Sequence, residues 1–314
     1  MKQILLLTLL ALGYQSASAQ LVTESFGTGG NAFTMDFVTI GNPNNAADTT
    51  GSPNPVGSVA YTYNLGKYEV SRDMITKANS AGTLGITLAD MTILGGNGVN
   101  RPATMISWYE AARYVNWLNT STGGTAAYKF DGSGTFQLWS AGDAGYDANN
   151  LFRNSLAKYW LPSRNEWYKG AYGSPNGTWY NYPTGSDSAP TAVAGGTDAN
   201  TAVYNGQTGP TGPADITNAG GLSSYGTMGQ GGNVWEWMET AYDGINSTAG
   251  EDRELRGGSW SFYSVGLGAS YRDADGPTFE RATYLGFRVA SVPEPSTGLL
   301  VLLGLSGLLL KWRK

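Results

Sequence analysis

Neither cysteine nor histidine occurs anywhere in the 314 residues of this chain. The first absence excludes disulfides, thiolate metal sites and a cysteine nucleophile. The second removes the commonest general base and the commonest transition-metal ligand. Zinc, copper or non-haem iron would have to be held by carboxylates alone, a poor match to their ligand preferences. Hard, oxygen-ligated cations such as calcium remain open. Charge is scarce as well, with Asp, Glu, Lys and Arg making up only 14% of the chain. No apolar run reaches the roughly 20 residues of a membrane-spanning helix.

What is abundant points to a particular kind of domain. The chain holds 45 glycines, 10 tryptophans and 19 tyrosines. That profile suits a loop-rich globular domain packed by aromatics rather than a helical bundle. A disordered chain would lack the aromatic content.

Both ends read as addresses. Met1–Ala19 carries Lys2, the apolar stretch Ile4–Leu12 and the small residues Ala17-Ser18-Ala19 before Gln20, the pattern of a cleaved secretory signal. At the other end, Val292-Pro293-Glu294-Pro295 precedes the 13 residues Gly298–Leu310 and the basic tail Lys311-Trp312-Arg313-Lys314. A positive cluster there holds that end in the cytoplasm. Residues 291–314 resemble the PEP-CTERM sorting signal. The resemblance implies export, transient membrane anchoring, handling by exosortase-type machinery, and release to the cell envelope or extracellular matrix. A simple tail anchor is the other reading, and membrane contact is expected through this segment only. Without Met1–Ala19 and the basic tail, and with Glu294 retained, 15 basic residues face 24 acidic ones, a net charge of −9. Such a chain, lacking basic clusters, is a poor partner for nucleic acid or anionic lipid.

Between the ends no linker divides the chain. Phe33–Ile40 and Val59–Tyr68 are expected strands, rich in β-branched and aromatic residues and bounded by Gly, Asn and Pro. Asn42–Pro55 between them reads as a polar loop. Ser71–Ser80 fits a short helix capped by Ser71. Ser107-Trp108-Tyr109-Glu110 and Ser163-Arg164-Asn165-Glu166 are capping boxes that open two further helices, the second running to about Ala171. From Gly173 to Gly232 the composition alone suggests linker. Trp179, Tyr180, Tyr182, Tyr204 and Tyr225 within it can pin a long ordered loop to a core.

Several segments then fall in a specific order: Lys67-Tyr68-Glu69-Val70-Ser71, Pro102 through Trp117, and Leu161-Pro162-Ser163 with Glu166-Trp167. Gly232-Asn233-Val234-Trp235-Glu236-Trp237, Arg256-Gly257-Gly258-Ser259-Trp260 and Gly286-Phe287-Arg288 complete the set. This order resembles the formylglycine-generating enzyme (sulfatase-modifying factor) family across roughly residues 33–290. The resemblance implies an α+β, C-type-lectin-like fold: a single loop-rich domain with sparse regular secondary structure.

Catalytic members of that family oxidise a substrate cysteine with copper held by two cysteines of their own. The position of the first, two residues after the GGSW motif, is Phe262 here, and the second falls within Ser264–Ala269. Neither is a cysteine, so copper-dependent formylglycine generation is not expected. A second branch binds iron through histidines, which this chain lacks. No phosphate loop supports a nucleotide. No catalytic residue is assigned, and the chain is read as leaning away from enzymatic activity.

The resemblance leaves a calcium site, implied at Asn233 and Glu236 together with backbone carbonyls. Alternatively, Asn233 satisfies turn backbone and Glu236 pairs with an arginine. A second family site has a counterpart to its asparagine in Asn200 but none to its acidic partner. Arg256 and Arg288 read as structural ties to loop carbonyls or carboxylates. Ser259, Trp260, Phe262 and Arg272 are expected to line the family's groove, although Trp260 and Phe262 equally suit a core.

The expected function is a catalytically inactive binding or scaffolding module, sorted to the envelope or matrix, with an extracellular polysaccharide or protein as partner. The alternative is an enzyme with cysteine-independent chemistry on the carboxylates Asp273 and Asp275, two residues apart on an expected turn. With Glu280, the same segment is an incomplete calcium loop.

Overall fold

The computed structural model describes residues 20–206, 211–279 and 282–293; the expected secretory signal Met1–Ala19, Glu280 and the sorting stretch from residue 294 lie outside them. The first strands are β1 (Leu21–Phe26), β2 (Phe33–Ile40) and β3 (Tyr63–Gly66). Helices α1 (Arg72–Gly82) and α2 (Trp108–Ser121) follow, then the hairpin β4 (Lys129–Phe130) and β5 (Phe136–Gln137). β6 (Tyr159–Trp160) leads directly into α3 (Arg164–Tyr172). Beyond a long loop carrying β7 (Thr191–Ala192) and β8 (Thr201–Ala202) come β9 (Trp235–Ala241), β10 (Arg253–Arg256) and β11 (Asp273–Asp275). β12 (Leu285–Gly286) and β13 (Ala290–Ser291) end the described chain.

Each helix begins where its serine specifies. Ser107 Oγ accepts from the Glu110 N–H at 3.2 Å, and Glu110 returns a carboxylate oxygen to the Ser107 N–H at 2.9 Å. Ser163 and Glu166 repeat the exchange at 3.3 and 2.6 Å. Two orphan amides are satisfied at each start. At α1 the returning group is the sulfur of Met74, with Ser71 as cap. Along α2, Trp108, Ala111, Val115 and Leu118 form a buried stripe.

Two sheets carry the rest. The larger has the order β1-β2-β3-β13-β6 and is antiparallel throughout. β13, from the far end of the chain, is thus inserted between β3 and β6, with Ala290 opposite both Leu65 and Trp160. The smaller sheet runs β11-β10-β9-β12, with β12 parallel to β9. β2 coincides with the strand expected from sequence. β3 is shorter than the expected Val59–Tyr68, and β1 was not foreseen. LVTESF shows no strong apolar alternation, and its pairing with β2 along Leu21↔Val38 to Phe26↔Phe33 makes it a strand.

Aromatic rings fill the centre. Trp108, Trp167 and Trp237 are fully buried. The indole N–H of Trp108 donates to the Met238 carbonyl and that of Trp237 to the Ile106 carbonyl, at 2.9 and 2.7 Å, so both rings are buried without an orphan donor. Trp108 meets Tyr128 and Phe136 edge-on, each at 5.1 Å. Over this cluster lies the fully buried guanidinium of Arg253, 4.5 Å from the Trp108 centroid and 4.0 Å from Phe152. Burial lowers its pKa to about 10.

The described part of the Gly-rich stretch 173–232 is packed onto this frame. Tyr225 is buried, Trp179 meets Tyr168 at a tilt with centroids 5.5 Å apart, and Tyr204 donates its hydroxyl to the Pro190 carbonyl. Among the described residues no helix is long and apolar enough to cross a membrane.

Candidate functional site

The GGNVWEW segment makes a tight turn into β9. Gly232 and Asn233 both have left-handed backbone, φ 84° and 59°. A Cβ on Gly232 would lie 2.3 Å from the Val203 carbonyl oxygen, so only glycine fits. The turn delivers Asn233 and Glu236 into the interior, where both are completely buried.

Their oxygens are already engaged there. Asn233 Oδ1 accepts from the Ala214 N–H at 2.8 Å, and its Nδ2 donates to Glu69 at 2.5 Å. Glu236 is gripped by Arg288 through two hydrogen bonds of 2.6 Å and receives the Trp167 indole N–H at 2.7 Å. Arg288 also donates to the carbonyls of Gly66 and Met228. A divalent cation on Glu236 would have to displace a bidentate guanidinium. These residues therefore do not fit a calcium cage in this arrangement, and the alternative of turn backbone and arginine pairing describes their contacts. Glu69, also buried, has its carboxyl pushed well above the usual range by burial and by the charge of Glu236.

Asn200 accepts from the Thr184 hydroxyl at 2.8 Å. Asp273 and Asp275 lie on strand β11 rather than the expected turn, so alternation sends both side chains to one face. Burial, then the charges of Asp252 and Asp273, raise Asp275. Among the described residues no group of three acidic side chains is placed to hold a metal ion.

The expected groove residues separate in space. Ser259, Trp260 and Phe262 sit in one turn after β10, with the Phe262 N–H donating to the Ser259 carbonyl at 3.0 Å. Ser259 is buried, and the half-buried Phe262 packs against Trp235 and Tyr271 at 5.4 and 5.7 Å. Its ring edge lies against Gly266, inside the segment expected to carry the second copper ligand. No sulfur or imidazole stands here, so the site does not fit Cu(I). Trp260 buries its indole N–H without a partner. Arg272 does not join them: its guanidinium lies 4.0 Å from the Tyr242 ring centroid and pairs with Glu254 at 3.3 Å. Arg164 and Arg256 hold the same buried carboxylate, which confirms Arg256 as a structural tie.

Two features had no sequence motif to announce them. Lys169 is buried on α3, donates to the Asn42 carbonyl at 2.8 Å, and has no acidic partner among the described residues; burial lowers its pKa to about 8. A cavity of about 210 Å³ opens at the β6–β13 edge, lined by Tyr61, Asp147, Asn150, Arg153, Trp160 and Val292 among others.

Fold and site together define an α+β, C-type-lectin-like domain of the formylglycine-generating type, lacking the cysteines of its catalytic members. The sulfatase-modifying factor enzyme 1-like domain model matches residues 31–292, and the chain belongs to that family. Residues 291–314 match the PEP-CTERM protein-sorting motif, which marks the protein for export and membrane-anchored sorting to the envelope by exosortase-type machinery. No curated protein matches. Among solved structures the chain is similar to Treponema denticola variable protein 1, with a TM-score of 0.58 and 20% identity over 87% of this chain and 99% of that one. CarF follows with a TM-score of 0.57 and 18% identity over 83% and 99%. PvdO from Pseudomonas aeruginosa gives 0.54 and 17% over 86% and 98%. At these identities the likeness concerns the fold.

Proposed function

We propose that this protein is a non-catalytic binding or scaffolding module of the extracellular matrix, sorted through its C-terminus. The observation that carries the reading is the ring of Phe262 at the position of a copper-ligating thiolate, packed between Trp235 and Tyr271. Copper chemistry needs soft ligands, and the chain has neither cysteine nor histidine to supply them. The surface beside it suits recognition. Tyr263 and Val265, 55% and 57% exposed, flank Phe262 and Trp260, an aromatic patch of the kind enriched at binding sites. Its partner is an extracellular polysaccharide or protein.

Hydrolysis by Asp273 and Asp275 is the second reading, favoured by their shared strand face and the raised Asp275. No nucleophile accompanies them, and both already accept neighbouring backbone amides. The test uses the full-length chain in detergent. Supplied with copper, oxygen and a cysteine peptide, it is expected to form no formylglycine. It is also expected to co-sediment with extracellular polymer from the producing cells, and Tyr263→Ala is expected to weaken that retention. Aldehyde formation, or no retention of any fraction, would overturn the reading. Glycoside turnover abolished by Asp275→Asn would replace it with the second.

A further inference from the structure

The cavity at the β6–β13 edge is built from groups that contacts on other sides hold in place. The guanidinium of Arg153 lies over Trp160, 4.6 Å from the ring centroid, with Glu166 and Glu239 at 3.7 and 3.5 Å. Both carboxylates are satisfied elsewhere. Glu166 accepts from the Tyr61 hydroxyl at 2.7 Å and from the Ser163 N–H, while Glu239 accepts from Tyr128 and from Asn150 at 2.9 and 2.6 Å. Arg153 is thus fixed by charge and by the ring of Trp160, yet its guanidinium makes no hydrogen bond among the described residues: its buried Nη1 has the distant Glu166 carboxylate as ion-pair partner but no hydrogen-bond partner. On the same cavity's lining, Asp147 uses Oδ1 for the backbone and side chain of Asn149, leaving Oδ2 without a donor among the described residues. Tyr61 and Val292, each 45% exposed, supply apolar surface.

This set of walls selects a ligand by charge. An anion would meet Asp147 and the two glutamates behind the wall; a cation would meet Arg153. A hydroxyl group both donates and accepts, so it can serve Arg153 and Asp147 at once. The cavity is smaller than sites for drug-sized ligands, so it has room for one ring. From this geometry we infer that the cavity binds a neutral pyranose residue of an uncharged glycan. Asp147 and Arg153 take its hydroxyls, and Tyr61 and Val292 take its apolar face. The walls are preorganised, which limits the entropy lost on binding. The inference rests on the binding-module reading and places recognition apart from Phe262. Val292 lies within the matched sorting motif, so a bound glycan would sit at the junction of domain and sorting segment.

The test titrates the full-length chain in detergent with D-glucose, D-galactose and D-mannose, following tryptophan fluorescence, with glucuronate and glucosamine as charged controls. At least one neutral sugar is expected to give a saturable change and to bind more tightly than either charged one. Asp147→Asn and Arg153→Lys are each expected to weaken it about tenfold, the loss of one charge-assisted hydrogen bond. Asp147 is half-buried and makes local contacts only, so its variant keeps the test valid if Arg153→Lys does not fold. No saturation by any neutral sugar, tighter binding of a charged sugar, or unchanged affinity in Asp147→Asn would each overturn the assignment. If polymer is retained but no sugar saturates, the cavity assignment fails alone; if nothing is retained, the binding-module reading fails with it.

Discussion

With no histidine in the chain, the response of stability to pH near neutrality belongs to buried residues of other kinds. Glu69 has a folded pKa raised above its unfolded value of about 4.3. Its contribution to stability is therefore complete at acid pH and is lost as pH rises from there toward the folded value. Glu69→Gln is expected to flatten the fall in unfolding free energy as pH rises above about 4.3, measured as slopes of denaturant midpoint against pH. Lys169 works in the opposite sense. Its folded pKa, about 8, lies below the unfolded value of about 10.4. The unfolded state binds the extra proton between those values, so stability rises with pH across that window. Lys169→Met is expected to abolish that rise and to stabilise the protein at pH 7, because an uncompensated buried ammonium is removed. A wild-type curve that is flat between pH 8 and 10 would contradict the account of Lys169.

At the scale of elements, capping fixed the helices independently of the packing around them. Ser107→Ala removes the acceptor for the Glu110 amide and is expected to cost about 1 kcal/mol. A urea midpoint lowered with unchanged m-value would show this. Ser80→Ala, where an exposed hydroxyl donates to the Thr76 carbonyl within α1, is expected to stay within about 0.5 kcal/mol. The strands behave differently. β6, β12 and β13 are two residues long, far too short to be told from loop by periodicity. They are strands because the neighbouring chain offers its hydrogen bonds, as β13 does to β3 and β6.

At the scale of the molecule, Arg288 joins what the sequence keeps apart. It ties Glu236 of β9 to the Gly66 carbonyl at the end of β3 and to the Met228 carbonyl of the long loop, linking both sheets through one buried cation. Removing it leaves Glu236 charged and buried, so Arg288→Met is expected to cost about 3–5 kcal/mol. Because both sheets share the tie, near- and far-ultraviolet circular dichroism are expected to lose signal in a single coincident transition. Arg288→Met with Glu236→Leu is expected to recover most of the loss, since no orphan charge remains. Separate transitions for the two signals would show that the sheets unfold independently.

The sequence by itself determined the three helix starts, strand β2, the fold family and the absence of thiolate and imidazole ligands for copper. Each depends on local pattern or on residue types that cannot substitute for one another: a serine three residues before a glutamate, or a phenylalanine where a thiolate would be needed. Asn233 and Glu236 were legible as a motif but not as a contact, because Arg288, 52 residues from Glu236 in sequence, settles what that carboxylate does. Arg272 was grouped with Phe262 through the groove that the family resemblance implies, yet Glu254 and Tyr242 claim it. The cavity bounded by Tyr61, Asp147, Arg153 and Val292 had no sequence signal, since its walls come from segments more than 200 residues apart. Only the tertiary structure could decide these matters. Which charges face one another across a buried space depends on how the sheets close, and neither spacing nor composition records that closure.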